Sequence, residues 1–188
     1  MAHPGEREAP AETAVHGTRP CRDDERGTVL DIINAAAQAY RGLIPADCLH
    51  EPYMSGAELD AEIAAGVRFQ GCEIDRTLVG VMGMQSLSEV DLIRHAYVCP
   101  AYQRRGVGAA LIGHLRALST RRMLVGTWAA ASWAVRFYER HGFRLAEASQ
   151  ARILLQTWWR IGERQIETSV VLASPPIGTA FSPEAARQ

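Results

Sequence analysis

Tyr97-Val98-Cys99-Pro100-Ala101-Tyr102-Gln103-Arg104-Arg105-Gly106-Val107-Gly108-Ala109-Ala110-Leu111 is the stretch that decides how this chain is read. Val90 to Val98 before it reads as a strand, and it ends at Pro100, which cannot donate to a sheet ladder. After it, Val107, Leu111, Leu115 and Leu118 recur at helical spacing, so the turn opens an amphipathic helix. Amide groups at a helix start are unpaired, and the helix dipole places positive partial charge there. Gly106 and Gly108 let the backbone come close to an anion, and Arg104-Arg105 add two full charges. Strand, glycine turn and helix together suit a phosphate or pyrophosphate group. Taken alone, the turn also suits close packing with two solvated arginines.

Two common phosphate motifs fit poorly. A dinucleotide fingerprint needs a third glycine where Leu111 stands. A nucleotide P-loop needs a lysine, and the 188-residue chain has none, all 20 of its basic residues being arginine. The same absence excludes Schiff-base chemistry on a lysine. The arginine bias itself reads most simply as genomic base composition.

Working outward, Asp23-Asp24 is placed to cap a helix running to Tyr40, with Val29, Ile32, Ile33 and Ala36 on its apolar face. Leu43 to Tyr53 reads as a loop or broken helix. Ser55 with Glu58 has capping-box spacing for a second helix. Val67–Ile74 and Leu78–Gln85 read as strands joined at Asp75-Arg76. Beyond the glycine turn, Met123–Trp128 reads as a strand and Ala130–His141 as a helix closed by Gly142. Phe143–Ala148 and Gln165–Leu172 are expected as the last strands, and a short first strand near 17–20. Leu154–Arg164 has no assigned form.

The 47% hydrophobic and 22% charged composition is that of a globular protein, and a net charge of -1 marks neither a nucleic-acid binder nor a polybasic membrane protein. No apolar run approaches the ~20 residues of a membrane span. The cysteines at 21, 48, 72 and 99 form no C-x-x-C pair and no metal-ligand cluster, so no metal is expected. Met1 to Pro10 has no apolar core, and the expectation is reduced thiols in a cytoplasmic protein. Residues 1–16 and 174–188 read as disordered tails around a single domain at 17–173.

The turn closely resembles the acetyl-CoA motif of the GCN5-related N-acetyltransferase superfamily. Ala134-Val135-Arg136-Phe137-Tyr138-Glu139-Arg140-His141-Gly142-Phe143 is similar to a second motif of that superfamily, at the expected separation. The element order from about residue 17 to 172 agrees. The resemblance implies the acyl-CoA N-acyltransferase fold: α+β, a mixed and splayed central sheet flanked by about four helices. It implies acetyl-CoA as donor, held between Val90–Val98 and Met123–Trp128. Backbone groups at Ala96, Tyr97 and Val98 would hold the pantetheine arm. Amides of Arg105, Gly106, Val107, Gly108 and Ala109 would hold the pyrophosphate, with Gln103 and Arg104 at the motif's start, and Phe137 and Tyr138 would face the cofactor. Relatives often carry an asparagine where Ala131 stands, so that contact is lost or moved to Ser132.

The implied reaction is direct acyl transfer to a neutral amine. Tyr138 matches the tyrosine that protonates the leaving thiolate, and a phenol is neutral near pH 7. Relatives often place a glutamate base on the strand before the turn. Here the candidates are Glu89, Asp91 and His95, which strand alternation sets on one face, opposite Leu92, Arg94 and Ala96.

For the acceptor the candidates are Tyr40, Arg41, His50, Glu51, Tyr53, Met54, Gln85, Trp128 and Trp133, aromatics with a few polar groups. Glu51 could pair an ammonium, and Arg41 or Arg94 a carboxylate. Trp158-Trp159 could seal the pocket or a homodimer contact. The expected function is N-acetylation of a small-molecule amine. A non-catalytic acyl-CoA-binding module and a protein or peptide N-acetyltransferase stand as alternatives.

Overall fold

The computed structural model of the protein describes residues 17–177. The expected tail at 1–16 and most of that at 174–188 lie outside the described residues; Ser174 belongs to the last strand. The elements run β1 (Thr18–Pro20), α1 (Arg26–Ala37), α2 (Gly56–Ala64), β2 (Val67–Ile74), β3 (Thr77–Ser86) and β4 (Val90–Val98). Then follow α3 (Val107–Leu118), β5 (Arg122–Trp128), α4 (Ser132–Arg140), β6 (Arg144–Leu145), α5 (Ala148–Trp158), α6 (Glu163–Glu167) and β7 (Ser169–Ser174). The seven strands form one sheet in the order β1-β2-β3-β4-β5-β7-β6. Among the described residues, only the β4–β5 pair is parallel. This is the mixed, splayed sheet expected, with six α-helices among the described residues where about four were expected.

Local chemistry sets the helix starts. Glu58 N–H donates to Ser55 Oγ at 3.2 Å, and Ser55 N–H donates back to Glu58 Oε2 at 2.7 Å, the reciprocal cap expected from the sequence. At α1 the expectation shifts by a turn. Asp23–Glu25 is a 3-10 turn, and Glu25 rather than Asp23 or Asp24 reaches back, accepting from Arg22 N–H at 2.7 Å. Asp75 and Arg76 both have positive φ, 50° and 61°, as a tight hairpin between β2 and β3 requires.

The C-terminal part departs from the expectation. Of Phe143–Ala148 only Arg144 and Leu145 form a strand, because β6 meets β7 at two positions only, Ala173 and Leu172. Gln165 to Glu167 lie in α6, and β7 begins at Ser169. The unassigned stretch supplies the C-terminal end of α5, whose buried Ala151, Leu154 and Leu155 recur at helical spacing over Leu92, Leu124 and Val171.

The helices cover both faces. Leu111, Ile112 and Leu115 of α3 and Tyr138 of α4 pack on Val79, Met82 and Ile93. On the opposite face α1 and α2 bring Val29, Ile33 and Leu59 onto Phe69 and Val81. The α5 cluster lies on that second face too, since Leu92 and Ile93 of β4 belong to opposite cores.

Two irregularities in β4 create the site. The parallel ladder to β5 runs from Val90↔Arg122 to Ile93↔Val125 and stops there. Beyond Ile93 the two strands separate. On its other edge, β4 pairs Arg94 with Gly83 and Tyr97 with Val81, so His95 and Ala96 together oppose the single residue Met82. His95 sits in this bulge with φ 52°.

Among the described residues, no helix is long and apolar enough to cross a membrane, and no group of three His, Cys, Asp or Glu is placed to hold a metal ion.

Candidate active site

The opening glycine turn leads directly into the first turn of α3. Arg104 (φ 63°) and Gly106 (φ 81°) reverse the chain into α3. Ala110 N–H donates to Gly106 O at 2.9 Å, the first bond of the helix, so the preceding amides of α3 point outward along its axis. Gly108 lies so near α4 that a Cβ there would come within 3.1 Å of the Phe137 ring. Gln103 braces the turn by donating to Val98 O at 3.3 Å. The Arg105 guanidinium turns away to lie 5.3 Å over the Tyr102 ring.

A cavity of about 660 Å³ extends from this turn along the α3–α4 face. Gln103, Arg104, Gly106, Val107, Gly108 and Ala109 form one end. Ala96, Tyr97, Val98 and Tyr138 line the cavity beside β4, and Phe137 lines it beside Gly108. Arg105 is absent from the wall, and so is Ser132, which is exposed at the start of α4. Trp133 and Ala134, one and two residues further along the helix, supply the wall there. The sequence reading missed Arg140, His141 and Tyr102 on this wall, along with Ala36 and Ala39 from the region of α1.

The gap between the strands is a throat of about 80 Å³, walled by Ile93, His95 and Ala96 of β4, Val125, Gly126 and Thr127 of β5, and Tyr138. Tyr138 is 4% exposed, and burial pushes its phenol well above the ordinary range, so it keeps its proton. On the far side lies a second cavity of about 140 Å³. Tyr53, Trp128 and Trp159 give it aromatic walls, and Arg94, Thr127, Gln165 and Ser169 give it polar ones. Tyr40 and Tyr97 line all three spaces. The rings of Tyr40, Tyr53 and Tyr97 form a triangle with centroids 5.6–6.5 Å apart. Burial pushes the Tyr40 hydroxyl up to about 12.

The three base candidates do not share a face. Asp91 is 2% exposed on the α3 side, accepting from Ser119 Oγ at 2.5 Å with Arg121 at 3.6 Å. Glu89 is exposed in the turn before β4. His95 alone reaches the throat and the second cavity, because the bulge breaks the alternation and turns it onto the α1–α2 face beside Arg94. There its ring stacks on Phe69 at 5.9 Å, and its Nε2 lies 3.1 Å from Glu62 Oε2 of α2. That contact is a close approach without hydrogen-bond alignment. Arg94 donates to Glu62 Oε1 at 2.9 Å and to Gln85 Oε1 at 3.0 Å. Burial pushes the Glu62 carboxyl up, but His95, Arg94 and Arg160 outweigh it and hold it below the ordinary range.

Of the acceptor candidates, Tyr40, Tyr53 and Trp128 line the second cavity. Arg41 and Glu51 pair with each other at the exposed surface, outside the wall. Gln85 is also outside it, donating to Ala65 O at 2.8 Å. Met54 is buried in the core and His50 is exposed. Trp133 lines the large cavity instead. Trp159 lines the second cavity and lies so close to β5 that a Cβ on Gly126 would come within 3.2 Å of it.

Residues 65–145 match the acetyltransferase (GNAT) domain family. No curated protein matches the chain by sequence. Solved structures share its fold. The PaiA N-acetyltransferase of Thermoplasma acidophilum, in complex with coenzyme A, is 15% identical with a TM-score of 0.64, over 83% of this chain and 96% of that one. The ribosomal-protein-S18-alanine N-acetyltransferase of Escherichia coli is 15% identical with a TM-score of 0.60, over 88% and 97%. A GNAT family acetyltransferase of Elizabethkingia anophelis with acetyl-CoA bound is 17% identical with a TM-score of 0.54, over 83% and 95%.

Proposed function

We propose, from the match of residues 65–145 to the acetyltransferase (GNAT) domain family and from the site's geometry, that the protein transfers an acetyl group from acetyl-CoA to the amine of a small molecule. The observation that carries this reading is the meeting of two cavities, about 660 Å³ and about 140 Å³, through a throat walled by His95 and Tyr138. The larger one fits the donor: it begins at a helix N-terminus with two close glycines and runs to the throat. The smaller one is well below the roughly 300–1,000 Å³ of a cavity for a drug-sized ligand. It suits a compact amine better than an extended peptide.

Acetyl-CoA supplies the activated thioester. The amides of Val107, Gly108 and Ala109, with Arg104, hold its pyrophosphate. The edge of β4 beyond Ile93, left without a β5 partner, offers amides to the pantetheine arm and to the oxyanion. His95 takes the proton that the amine loses as its nitrogen bonds to the acetyl carbon, directly or through one water. Tyr138 gives a proton to sulfur as the carbon–sulfur bond breaks, and its raised pKa keeps it in the donating form. Both groups then recover their starting states by exchange with solvent.

Release of free thiol from acetyl-CoA, screened across amines, amino acids, polyamines and peptides, tests the reading. The expected result is release with a compact amine and none with peptides. A protein that binds acetyl-CoA yet releases thiol with no amine would be a binding module instead.

A further inference from the structure

The acceptor cavity has an unusual charge arrangement for a site that receives an amine. Among the described residues that line it, Arg94 is the one permanent charge, and no carboxylate is present. The Arg94 side chain is 14% exposed, and Gln85 and Glu62 fix its guanidinium from behind. Glu62 is the paired carboxylate, but it is shared: His95 touches its second oxygen and Arg160 acts on it through space. Two guanidiniums and an imidazole thus stand around one carboxylate. An ammonium ion entering this cavity meets positive charge and nothing to pair with. An anionic group meets a braced guanidinium with donors to spare, with Ser169, Gln165 and Thr127 as further polar partners.

The geometry points to a carboxylate-bearing amine, an amino acid of small or medium size, as the acceptor, with Arg94 as the residue that reads its carboxylate. The inference rests on the acetyl-transfer reading and narrows its substrate class. The other cationic candidate, Arg41, is satisfied by Glu51 at the surface and takes no part. The position of Arg94 follows from the β4 bulge. The register shift after Gly83↔Arg94 puts Arg94 and His95 on the same face, so one strand presents an anion reader beside a proton acceptor. The carboxylate and amine of an amino acid are separated by a single carbon, which suits neighbouring groups of this kind. The aromatic walls of Tyr53, Trp128 and Trp159 then cover an apolar side chain. The positive surroundings also favour the neutral, nucleophilic form of the amine over its ammonium form.

The test compares matched acceptors on the unaltered protein: alanine with ethylamine, leucine with isoamylamine, phenylalanine with phenethylamine, and each amino acid with its amide. Thiol release and calorimetric binding in the presence of coenzyme A are read for each. The expected result is that at least one amino acid exceeds both its amine and its amide by about 10- to 100-fold in kcat/KM, the range of a lost charge-assisted contact. Arg94→Gln should collapse that ratio towards one. The proposal is overturned if amines or amides match or exceed the acids on the unaltered protein, or if no acid binds or reacts. It is also overturned if folded Arg94→Gln, judged by its melting curve, keeps the full ratio. An aminoalkylphosphonate in place of the amino acid tells whether the site reads a carboxylate or any anion; a phosphonate preferred over every carboxylate overturns the assignment. Failure of the underlying reading looks different: coenzyme A itself would neither bind nor raise the melting temperature.

Discussion

His95 Nε2 lies 3.1 Å from Glu62 Oε2, which joins a bulge in the strand that splits the sheet to a helix on the acceptor side. On the proposed acetyl-transfer reading, the pair would hold His95 in place as the base through a carboxylate outside the throat. His95→Gln is expected to lower kcat by about 10²- to 10³-fold, as loss of a general base does. Glu62→Gln should cost less, because it removes only the carboxylate that orients the imidazole. Steady-state pH profiles of the two variants check both, and a Glu62→Gln profile superimposable on the native one would detach Glu62 from the proton path.

Tyr138→Phe keeps the ring that packs on Phe137 and Phe143 and removes only the hydroxyl. The expected loss is about 10²-fold in kcat, with acetyl-CoA affinity retained. Rapid-quench rates combined with calorimetry separate the two effects. Weakened binding at an unchanged rate would make Tyr138 a packing residue.

Two glycines should divide the KM values. A methyl group on Gly108 meets the Phe137 ring at 3.1 Å on the donor side, and one on Gly126 meets Trp159 at 3.2 Å and Leu155 at 3.3 Å on the acceptor side. Gly108→Ala is expected to raise KM for acetyl-CoA, and Gly126→Ala that for the amine, each by about 10-fold or more, since close-packed contacts of this kind are worth 1–3 kcal/mol. Initial rates with each substrate varied in turn check the division, and equal effects on both KM values would argue against separate cavities.

Glu25 links pH to stability. Hydrogen bonding from Arg19, at 2.6 Å and 2.8 Å, holds its carboxyl at about 2 in the folded protein, against an ordinary 4.5. A depressed carboxyl pKa stabilises the fold above the unfolded value and loses that contribution as pH falls through the folded one. The contribution is therefore complete above about pH 5 and is lost as the pH falls through about 2. Glu25→Gln should lower Tm by roughly 3–8 °C at pH 7, with the gap to native protein closing as the pH approaches 2. Calorimetric scans between pH 2 and 7 measure it, and a gap independent of pH would assign the loss to packing.

The glycine turn, the capping box at Ser55 and the tyrosine of α4 were legible in the sequence because each is a local signal, complete within about a dozen residues. The face of His95 was not. Alternation predicts it beside Asp91, but one extra residue opposite Met82 moves it to the other side, and a bulge is fixed by pairing with a neighbouring strand. The acceptor wall was only half legible. Tyr40, Tyr53 and Trp128 stood out as aromatics, whereas Gln165 and Ser169 carry no local mark and reach the cavity only because β7 inserts between β5 and β6. Ser132 follows only from the absent asparagine at 131, and the wall uses Trp133 and Ala134 instead. The short β6 shows the same limit, since its length is set by what β7 offers it.

The ladder between β4 and β5 runs only from Val90 to Ile93, and the buried Asp91 fastens its start to Ser119 at the end of α3. The sheet is therefore two panels, β1–β4 and β5–β7, joined along one short seam that is riveted at one end and open at the other. On the proposed function, a thioester in the open end would lie between panels that carry opposite halves of the acceptor cavity, Arg94 and His95 on one, Gly126 and Trp128 on the other. The spacing of that joint, rather than either panel alone, would then set the width of the acceptor's seat.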